Sequence, residues 1–458
     1  MAPGEVVALV LPNAPIFQLG FFAAMQALAV PALLNPAYPA AALLPLLQTV
    51  TPHVVLRAPA THESVTRLAA ELGIPEVICL DADIMTLPVS PGRLPERRRA
   101  AAEDKAALLF SGGTTGVPKV IEHTHRMLVA ATRCSEYVWP TAADDVFLPI
   151  APFTHIYGLL QGVLAPLSAG AETVIPDRFQ PAEIVELMAR HRVTFFGGGP
   201  PALYAALLAA SNLAAADLSS LRVCPAGGAP FPVELMQRWR RATGCVIHEA
   251  YGMTETAPIS GTNTLTGVRP GSVGKPVPCN EVQLVDIETG TIVLPPGERG
   301  EVRVRGPHMM AGYRNAPEET ERTLREGFLH TGDIGHLDAG GFLFITGRRK
   351  AMVFVKGFNV FPREVEEVIH THPKVAAAGE VGVPDLRTGG DKLVAFVTPR
   401  QDEILAVEEI TAHCAACLAA YKCPAEVRIV AQLPMTSAQK LDRLRLARVA
   451  RNEAVLED

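Results

Sequence analysis

The sequence predicts an α/β protein. We expect a large N-terminal domain of helix-covered mixed or parallel sheets with a small β-barrel, followed by a smaller α+β domain. Three observations support this fold class. Apolar runs alternate with longer helical patterns through the first two-thirds of the chain, which is typical of helix-covered parallel sheets. Short β-rich runs spaced by glycine and proline begin near Gly271, and a mixed α+β pattern follows Gly347. At 458 residues the chain is also too long for a single core.

In the N-terminal part, a predicted strand over Glu5–Leu11 leads through a turn into a helix over Ile16–Ala29. Prolines predict the starts of two later helices, Pro181–His191 and Pro232–Thr243, because proline suits the first turn of a helix. Further apolar runs predict strands at His53–Arg57, Glu76–Leu80, Ala106–Phe110, Val146–Ile150, Val193–Phe196, Arg222–Ala226 and Val246–Glu249.

The later elements have a different character. Strands predicted at Glu281–Asp286, Gly300–Arg305 and Phe342–Thr346 suggest a small barrel or an antiparallel sheet. We place a domain boundary near Arg348–Lys350, which divides the chain into residues 1–347 and 348–458. Beyond it we expect a helix, two strands and a cysteine-containing helix, with the first three at Pro362–His370, Val375–Val383 and Lys392–Pro399.

Composition excludes several function classes. A formal net charge of −6 argues against nucleic acid as an obligatory partner, because phosphate binding needs a concentrated basic surface. The most apolar stretch, Ile16–Leu34, contains Pro31 and has no basic region before it. We therefore expect a buried helix that leads into a buried strand, and neither a signal peptide nor an integral membrane segment.

The eight cysteines are scattered and follow no secretory leader. We therefore expect all of them to be reduced thiols in a cytoplasmic protein. One CxxC, Cys414–Cys417, lies beside His413. Without a second pair of ligands it is weak evidence for a metal site, and we expect an amphipathic helix there.

The strongest single motif is SGGTTGVPK at Ser111–Lys119, directly after the predicted strand Ala106–Phe110. Glycines let the backbone approach an anion and point its N–H groups inward, while Thr114, Thr115 and Lys119 add hydroxyl donors and a positive charge. This is suitable chemistry for a polyphosphate. The motif is not a Walker A loop, since the Lys-Ser/Thr pair at a helix start is missing. A flexible surface loop is the alternative.

A resemblance emerges from the full set of motifs. In order, the chain contains SGGTTGVPK, APFTHIYG (Ala151–Gly158), YGMTE (Tyr251–Glu255), HTGD (His330–Asp333), GRRK (Gly347–Lys350), KGFNVFPREVE (Lys356–Glu366) and Lys440. From about Gly4 to Arg445 it resembles the adenylate-forming superfamily, which includes adenylation domains and firefly luciferase. It looks most like the acyl-CoA synthetases of that group, such as fatty-acyl-CoA and 4-coumarate-CoA ligases. The resemblance implies ATP, Mg²⁺ and coenzyme A, and a mobile C-terminal domain.

Roles for individual residues follow from the resemblance. The nucleotide-binding loop would comprise Ser111, Gly112, Gly113, Thr114, Thr115, Gly116 and Lys119. Thr254 would hydrogen-bond the α-phosphate, and Glu255 would bind Mg²⁺ as a hard oxygen ligand. Adenine would lie on Tyr251, with the backbone of Gly228, Ala229 and Gly252 nearby. A surface Thr-Glu pair and ordinary core packing of the tyrosine are the alternatives.

Two further positions would act at the ribose and at the reacting phosphate. Asp333 would accept hydrogen bonds from the ribose hydroxyls, assisted by Arg348; a turn aspartate after Gly332 is the alternative. Lys440 resembles the mobile catalytic lysine, whose ammonium would relieve repulsion between the acid's carboxylate and the α-phosphate. A solvated lysine in a basic segment is the alternative.

The C-terminal domain is expected to alternate between two orientations about a hinge at Lys350. One orientation brings Lys440 in for adenylation. The other removes it and lets the thiol enter past Lys356 and Gly357.

The acyl pocket is expected to include His155, Tyr157, Gly198, Gly199 and Ala250. Amino-acid-activating relatives usually have an aspartate in the motif that contains His155, and this chain has none there. We therefore expect an acid without an α-amino group. Ala250 replaces a common glycine and could narrow the acyl tunnel. A hydrogen-bonded core histidine is the alternative for His155.

The pattern also departs from the family. Relatives usually have several dozen more residues before the strand at Glu5–Leu11, so we expect either a shortened member, missing the usual first segment, or a mis-assigned start. Gln439 replaces the glycine before the catalytic lysine and could stiffen that loop.

The resulting prediction is an AMP-forming acid–thiol ligase. It would activate a fatty or aromatic acid to acyl-AMP and then transfer the acyl group to coenzyme A. Two alternatives stay open, namely an acyl-AMP ligase that loads an acyl carrier protein, and a catalytically lapsed nucleotide-binding homologue. Neither the particular acid nor the oligomeric state follows from the sequence.

Overall fold

The computed structural model describes residues 2–81, 99–111, 118–229, 231–262, 267–355, 358–385, 390–401, 403–436 and 440–456. Its strands are β1 (Val6–Val10), β2 (Val30–Leu33), β3 (Val54–Arg57), β4 (Glu76–Cys79), β5 (Lys105–Phe110), β6 (Val120–Thr124), β7 (Val146–Pro149), β8 (Glu172–Thr173), β9 (Phe195–Gly197), β10 (Cys224–Ala226), β11 (Ile247–Met253), β12 (Ala257–Gly261), β13 (Lys275–Pro276), β14 (Glu281–Val285), β15 (Gly300–Arg305), β16 (Gly312–Tyr313), β17 (Leu324–Arg325), β18 (Phe328–Leu337), β19 (Leu343–Arg348), β20 (Val353–Val355), β21 (Phe358–Val360), β22 (Val375–Asp385), β23 (Gly390–Pro399) and β24 (Glu426–Ile429).

Its α-helices are α1 (Pro15–Gln26), α2 (Ala40–Val50), α3 (His62–Glu71), α4 (His125–Val138), α5 (Ile156–Leu159), α6 (Ala165–Ala169), α7 (Pro181–Arg190), α8 (Pro201–Leu208), α9 (Val233–Thr243), α10 (Pro317–Thr323), α11 (Pro362–His370), α12 (Val407–Cys417) and α13 (Arg443–Ala450). A π-helical turn at Leu160–Leu164 joins α5 to α6. In the described part of the chain, every helix is too short or too polar to cross a bilayer.

The first sheet has the strand order β16-β6-β5-β2-β1-β3-β4. The strands from β5 to β4 along this order pair in parallel, and β6 and β16 extend the edge in antiparallel fashion. Successive side chains of β1 face opposite hydrophobic clusters, one of which contains Phe17 and Phe21 of α1 and the other Leu43 and Leu47 of α2. Helices therefore cover both faces, which confirms the predicted helix and strand within Ile16–Leu34.

The second sheet runs β8-β7-β9 in parallel and continues through bridges between β9 and β10 into the parallel pair β10–β11. Strands β12 and β13 then add antiparallel pairs. Its core contains the aromatic side chains of Phe196, Tyr204 and Trp239, with the last two rings packed edge to face 4.9 Å apart. All eight strands predicted in the N-terminal part, from Glu5–Leu11 to Val246–Glu249, are present with shifted ends.

The predicted barrel or antiparallel sheet is an antiparallel sheet in which β14, β15, β18 and β17 pair in that order and β19 also pairs with β18. In the C-terminal part, β22 and β23 pair antiparallel and β23 and β24 pair in parallel. Helices α11 and α12 share one hydrophobic cluster with this sheet, and α13 shares another. The α+β pattern expected after Gly347 is thus confirmed.

One expectation about the cysteines is wrong. Cys134 of α4 and Cys279, which lies between β13 and β14, form a disulfide with their Cα atoms 7.2 Å apart. They are 145 residues apart in sequence, so only the packing of α4 beside this connection reveals that they are neighbours. The other six cysteines are free thiols. His413 interacts through Nε2 with the Thr371 hydroxyl and the Val368 carbonyl, at 2.9 and 3.0 Å.

Candidate active site

Strands β11, β18 and β19 bring together three residues predicted to bind adenosine. Asp333 and Arg348 are register partners on β18 and β19. The Tyr251 hydroxyl donates to Asp333 Oδ2 at 2.6 Å, and Arg348 Nε donates to Oδ1 at 2.8 Å. Burial, and then the negative charge of Asp333, raise the pKa of Tyr251 well above its usual value, so its hydroxyl keeps the proton that it donates. Asp333 is therefore a fixed acceptor, and a carboxylate has lone pairs left for further donors.

The turn after β11 carries the predicted phosphate and metal residues, Thr254 and Glu255, both of which are buried. His123 Nε2 contacts the Thr254 carbonyl at 2.8 Å, and Met310 N–H donates to the Glu255 carbonyl at 2.7 Å. The Tyr313 hydroxyl donates to Glu255 Oε1 at 2.9 Å. The side-chain oxygen thus has a defined position before any ligand binds. His123, Met310 and Tyr313 were not predicted as site residues, since a single sequence has no signal for contacts between such distant segments.

Lys440 reaches the same cleft from the C-terminal part of the chain. Its Cε lies 3.6 Å from where a Cβ on Gly228 would be, and its Nζ 3.9 Å away. Gly228 has φ +80° and so offers both the space and the backbone conformation. Burial, and then the positive charge of Arg348, lower the pKa of Lys440, while Asp333 and Glu255 act in the opposite direction. One lysine from the C-terminal part therefore shares a cleft with the two predicted carboxylates.

Short contacts within its own segment hold Lys440 in place. Thr436 N–H donates to the Lys440 carbonyl at 2.7 Å, and Lys440 N–H donates to Thr436 Oγ1 at 3.2 Å. Met435 and Leu441 form an antiparallel bridge, and the Leu441 side chain packs beside Gly379 of β22. The catalytic candidate is thereby attached to the C-terminal sheet. Gln439 lies outside the described residues.

His155 is close enough to Lys440 to feel its charge. It caps α5, with Nδ1 accepting a hydrogen bond from Tyr157 N–H at 3.2 Å. Burial, and then the positive charge of Lys440, lower the pKa of His155 to about 3. The ring is therefore neutral at pH 7. Because Nδ1 accepts, Nε2 carries the hydrogen and is a donor.

Among the predicted acyl pocket residues, Tyr157 contacts His155 and Gly199 in turn faces the Tyr157 ring. Gly199 has φ +100°, and a Cβ there would lie 3.5 Å from the Tyr157 ring. Gly198 packs between the Phe196 and Tyr204 rings, so a side chain would not fit. Ala250 packs against a hydrophobic cluster that includes Trp139 and Phe195. Gly227 lies between Gly199 and Ala250. Its N–H donates to the Gly199 carbonyl, and the glycine lies against the Ala250 carbonyl.

The ends of the predicted phosphate loop are joined. Ser111 N–H donates to the Lys119 carbonyl at 2.9 Å, and Lys119 N–H donates to Ser111 Oγ at 3.0 Å. The Lys119 ammonium pairs with Glu319 of α10 and lies 4.7 Å from the centre of the Tyr313 ring. The phosphate-binding candidates between them, Gly112, Gly113, Thr114, Thr115 and Gly116, lie outside the described residues, as do the thiol-entry candidates Lys356 and Gly357.

The remaining predicted residues surround the cleft. Gly252 follows a register shift in the β11–β12 pair and lies so close to the Ala257 carbonyl that a side chain would collide with it. Ala229 is half-buried beside Gly228. Lys350 is exposed in a 3₁₀ turn, Arg349–Ala351, directly after β19. Its predicted role as a hinge stays a prediction.

Family models match both parts of the chain. One for the AMP-binding enzyme matches residues 1–314, and one for the AMP-binding enzyme C-terminal domain matches residues 364–440. The long-chain-fatty-acid–CoA ligase of Bacillus subtilis is 37% identical over 75% of this chain and 61% of that protein. The match thus spans less than two thirds of that relative. The oxalate–CoA ligase of Arabidopsis thaliana is 32% identical over 96% of this chain and 87% of that protein.

Solved structures agree with this relationship. ATP-bound MatB from Rhodopseudomonas palustris superposes with a TM-score of 0.91 at 28% identity, over 99% of this chain and 90% of that one. A benzoate CoA ligase from Burkholderia xenovorans has a TM-score of 0.86 at 26% identity, over 97% and 90%. The predicted fold class and the predicted resemblance are both confirmed. This chain therefore belongs to the AMP-binding enzyme family, within the adenylate-forming superfamily.

Proposed function

We propose that this chain activates a carboxylic acid with ATP to give acyl-AMP and pyrophosphate, and then transfers the acyl group to coenzyme A. One observation carries the proposal: the Lys440 side chain, from the C-terminal part, lies beside Gly228 and is close enough to Asp333 and Glu255 for their charges to raise its pKa against the effect of burial. An ammonium in that position can contact both the attacking carboxylate and the α-phosphate, whose mutual repulsion opposes the reaction. The relatives named as CoA ligases support the same chemistry.

In the first half-reaction, Asp333 would accept from the ribose hydroxyls while Tyr251 and Arg348 hold its carboxylate. Thr254 would donate to the α-phosphate. Glu255 is a buried carboxylate with one oxygen positioned by Tyr313, and it fits Mg²⁺ because that ion prefers hard oxygen ligands. When bound, Mg²⁺ supplies positive charge at the phosphates. Lys119 and the rest of the glycine-threonine loop would hold the departing pyrophosphate.

In the second half-reaction, the C-terminal domain would turn about Lys350 and withdraw Lys440. The thiol would then reach the acyl-adenylate past Lys356 and Gly357. Separation of the two steps by a domain movement lets pyrophosphate leave before the thiol enters.

For the substrate we propose a fatty or aromatic acid that has no α-amino group. The cleft residue His155 is neutral, and the neighbouring Phe153 is fully buried in a core cluster. Neither side chain can pair with a substrate ammonium. We also propose a cytoplasmic location.

The deciding experiment measures acid-dependent exchange of pyrophosphate into ATP across fatty and aromatic acids, followed by thioester formation with free coenzyme A or with holo-carrier protein. Thioester with coenzyme A supports the proposal, and thioester with carrier protein alone contradicts the acceptor. Folded protein that binds ATP but never exchanges pyrophosphate contradicts the activity.

Lys440→Ala should reduce pyrophosphate exchange by about a hundredfold or more, because it removes the positive charge that contacts the transition state. Thioester formation from a supplied acyl-adenylate should be spared. Lys392→Ala is the matched control, since Lys392 pairs with Glu426 within the C-terminal sheet. Equal loss of both half-reactions in Lys440→Ala would refute the assigned role.

A further inference from the structure

A cluster of soft ligands lies outside the cleft. Cys134 comes from α4, Cys279 from the connection between β13 and β14, and His308 from the segment between β15 and β16. The two sulfurs and a ring nitrogen of His308 all lie within 4.8 Å of one another. Three separate elements of the N-terminal domain thus converge on one point.

His308 is the unusual member of this cluster. Its side chain is 0% exposed, and in the described part of the chain neither ring nitrogen makes a hydrogen bond of ordinary length and angle, although backbone groups of Pro258 and of His308 itself lie near the ring. A buried polar group normally has a partner, because its interactions with water are lost on folding. The imidazole therefore has a lone pair free at the place where two sulfurs approach it.

The backbone spacing of the cysteines suits a shared ion. Their Cα atoms are 7.2 Å apart, whereas disulfides usually have Cα atoms about 4.4–6.8 Å apart. Two thiolates on one tetrahedral zinc lie about 3.8 Å apart, as two Zn–S bonds of about 2.3 Å require. Two thiolates on one zinc are thus farther apart than two sulfurs joined by a bond, which suits cysteines whose Cα atoms are 7.2 Å apart.

The exposure of the cluster and its number of ligands also suit a bound metal ion. Cys134 and His308 are buried, and Cys279 is exposed. An ion can therefore enter beside Cys279, and a water molecule can complete four-coordination on that side. Thiolate and imidazole ligands together favour Zn²⁺ over Mg²⁺ or Ca²⁺, which prefer oxygen.

We propose that, when both cysteines are reduced, Cys134 Sγ, Cys279 Sγ and one ring nitrogen of His308 bind a single Zn²⁺ ion. Each thiol releases its proton to solvent when it becomes a thiolate. A phosphine reduces the disulfide to two thiols by supplying two electrons. The phosphine takes an oxygen atom from water and becomes the phosphine oxide, and the two protons of that water go to the two sulfurs. The site would connect α4 to the segment that reaches Met310, whose N–H holds the Glu255 carbonyl.

The test uses the full chain without nucleotide, so its outcome is independent of the proposed activity. Protein is reduced with a phosphine, freed of metal, and titrated with Zn²⁺ against a chromogenic chelator; Co²⁺ is added separately as a spectroscopic probe. We expect one Zn²⁺ per chain and the visible absorption of a tetrahedral Co²⁺ thiolate. Cys279→Ser and His308→Ala should each weaken binding by roughly a hundredfold, given that even outer-shell changes cost about ten- to a hundredfold.

Cys417→Ser is the matched control, because Cys417 is an exposed free thiol in another part of the molecule, and it should leave the stoichiometry at one. Cys279→Ser changes an exposed side chain, so it keeps the test decisive if His308→Ala does not fold. The inference is overturned if the reduced protein binds no Zn²⁺, or if binding persists unchanged in folded Cys279→Ser.

Discussion

At the scale of single residues, the candidate site is a set of charges whose partners come from distant parts of the chain. Lys119, predicted to hold phosphate, is paired with Glu319 of α10, 200 residues away. Asp333 is held by Tyr251 and Arg348. Protein groups thus occupy positions that the nucleotide is expected to need. ATP must therefore compete with an internal carboxylate for Lys119.

Glu319→Gln should tighten ATP binding by up to about fivefold, because exposed ion pairs contribute about 0.2–1 kcal/mol and this one must break before Lys119 contacts phosphate. Isothermal titration calorimetry of the purified protein checks the change in Kd. Glu318 on the same helix pairs with Arg322, and Glu318→Gln should leave the Kd unchanged. Weaker ATP binding in Glu319→Gln would mean that the carboxylate orients the lysine rather than competing for it.

Site residues that lie in short sequence motifs could be predicted, whereas those that reach the site through tertiary packing could not. Asp333, Arg348 and Glu255 lie in short motifs whose order is visible in the sequence, and the structure brings them to one cleft with Lys440. Tyr313 and Glu319 are not predictable in this way. Each meets the site through tertiary packing across many residues, and an isolated tyrosine or glutamate carries no pattern.

At the scale of elements, apolar periodicity located most strands and the proline-initiated helices. Several elements were missed. Strand β6 contains Glu122 and His123 and has no simple apolar alternation, yet it pairs with β5. Helix α2 has Pro45 inside it, a residue that normally argues against a helix interior. In both cases tertiary packing outweighs local preference.

Strand β11 carries a feature with a consequence for stability. Glu249 is 1% exposed, and burial raises its pKa from 4.5 to about 7, against the opposing charge of Arg363. The folded state therefore holds this proton more tightly than the unfolded chain does. Because the native pKa is the higher one, the stability that this group contributes falls as pH rises from about 4.5 through 7.

Glu249→Gln removes that dependence. Above pH 7.5 we expect the variant to be more stable than the parent by up to about 3 kcal/mol, as about 2.5 pKa units convert at 1.36 kcal/mol each. Near pH 4.5 the difference should vanish. Urea unfolding at pH 4.5 and pH 8.5 measures both values. The control is the exposed Glu186→Gln on α7; an identical shift at both pH values in Glu249→Gln would contradict the pKa argument.

At the scale of the whole molecule, ion pairs are among the contacts that join the two parts of the chain. Arg400, after β23, pairs with Glu234 at the start of α9 at 3.0 Å. Arg299 of the N-terminal part and Lys422 of the C-terminal part both pair with Glu364 of α11. No pattern in the sequence predicts these contacts, because they depend on how the two parts dock. The motif order predicted only that Lys440 would reach the cleft.

Glu234→Gln should weaken the docking that brings Lys440 in. We expect pyrophosphate exchange to fall by up to about fivefold, in line with an ion pair worth about 0.2–1 kcal/mol, while thioester formation from supplied acyl-adenylate is unchanged or faster. The two half-reactions are assayed separately. Glu183→Gln is the control, because Glu183 pairs with Arg178 inside the N-terminal domain. A slower second half-reaction would show that the pair serves both orientations.

The hydrogen bonds between Thr436 and Lys440 restrict how this lysine can move. The Lys440 backbone is hydrogen-bonded to Thr436, and Leu441 packs beside β22, so the backbone of Lys440 is attached to the C-terminal sheet. If the C-terminal domain turns as proposed, Lys440 would therefore move together with the C-terminal sheet. Under the proposed domain alternation, a covalent tether between the two parts would consequently stop the reaction at the acyl-adenylate, before the acyl group reaches the thiol.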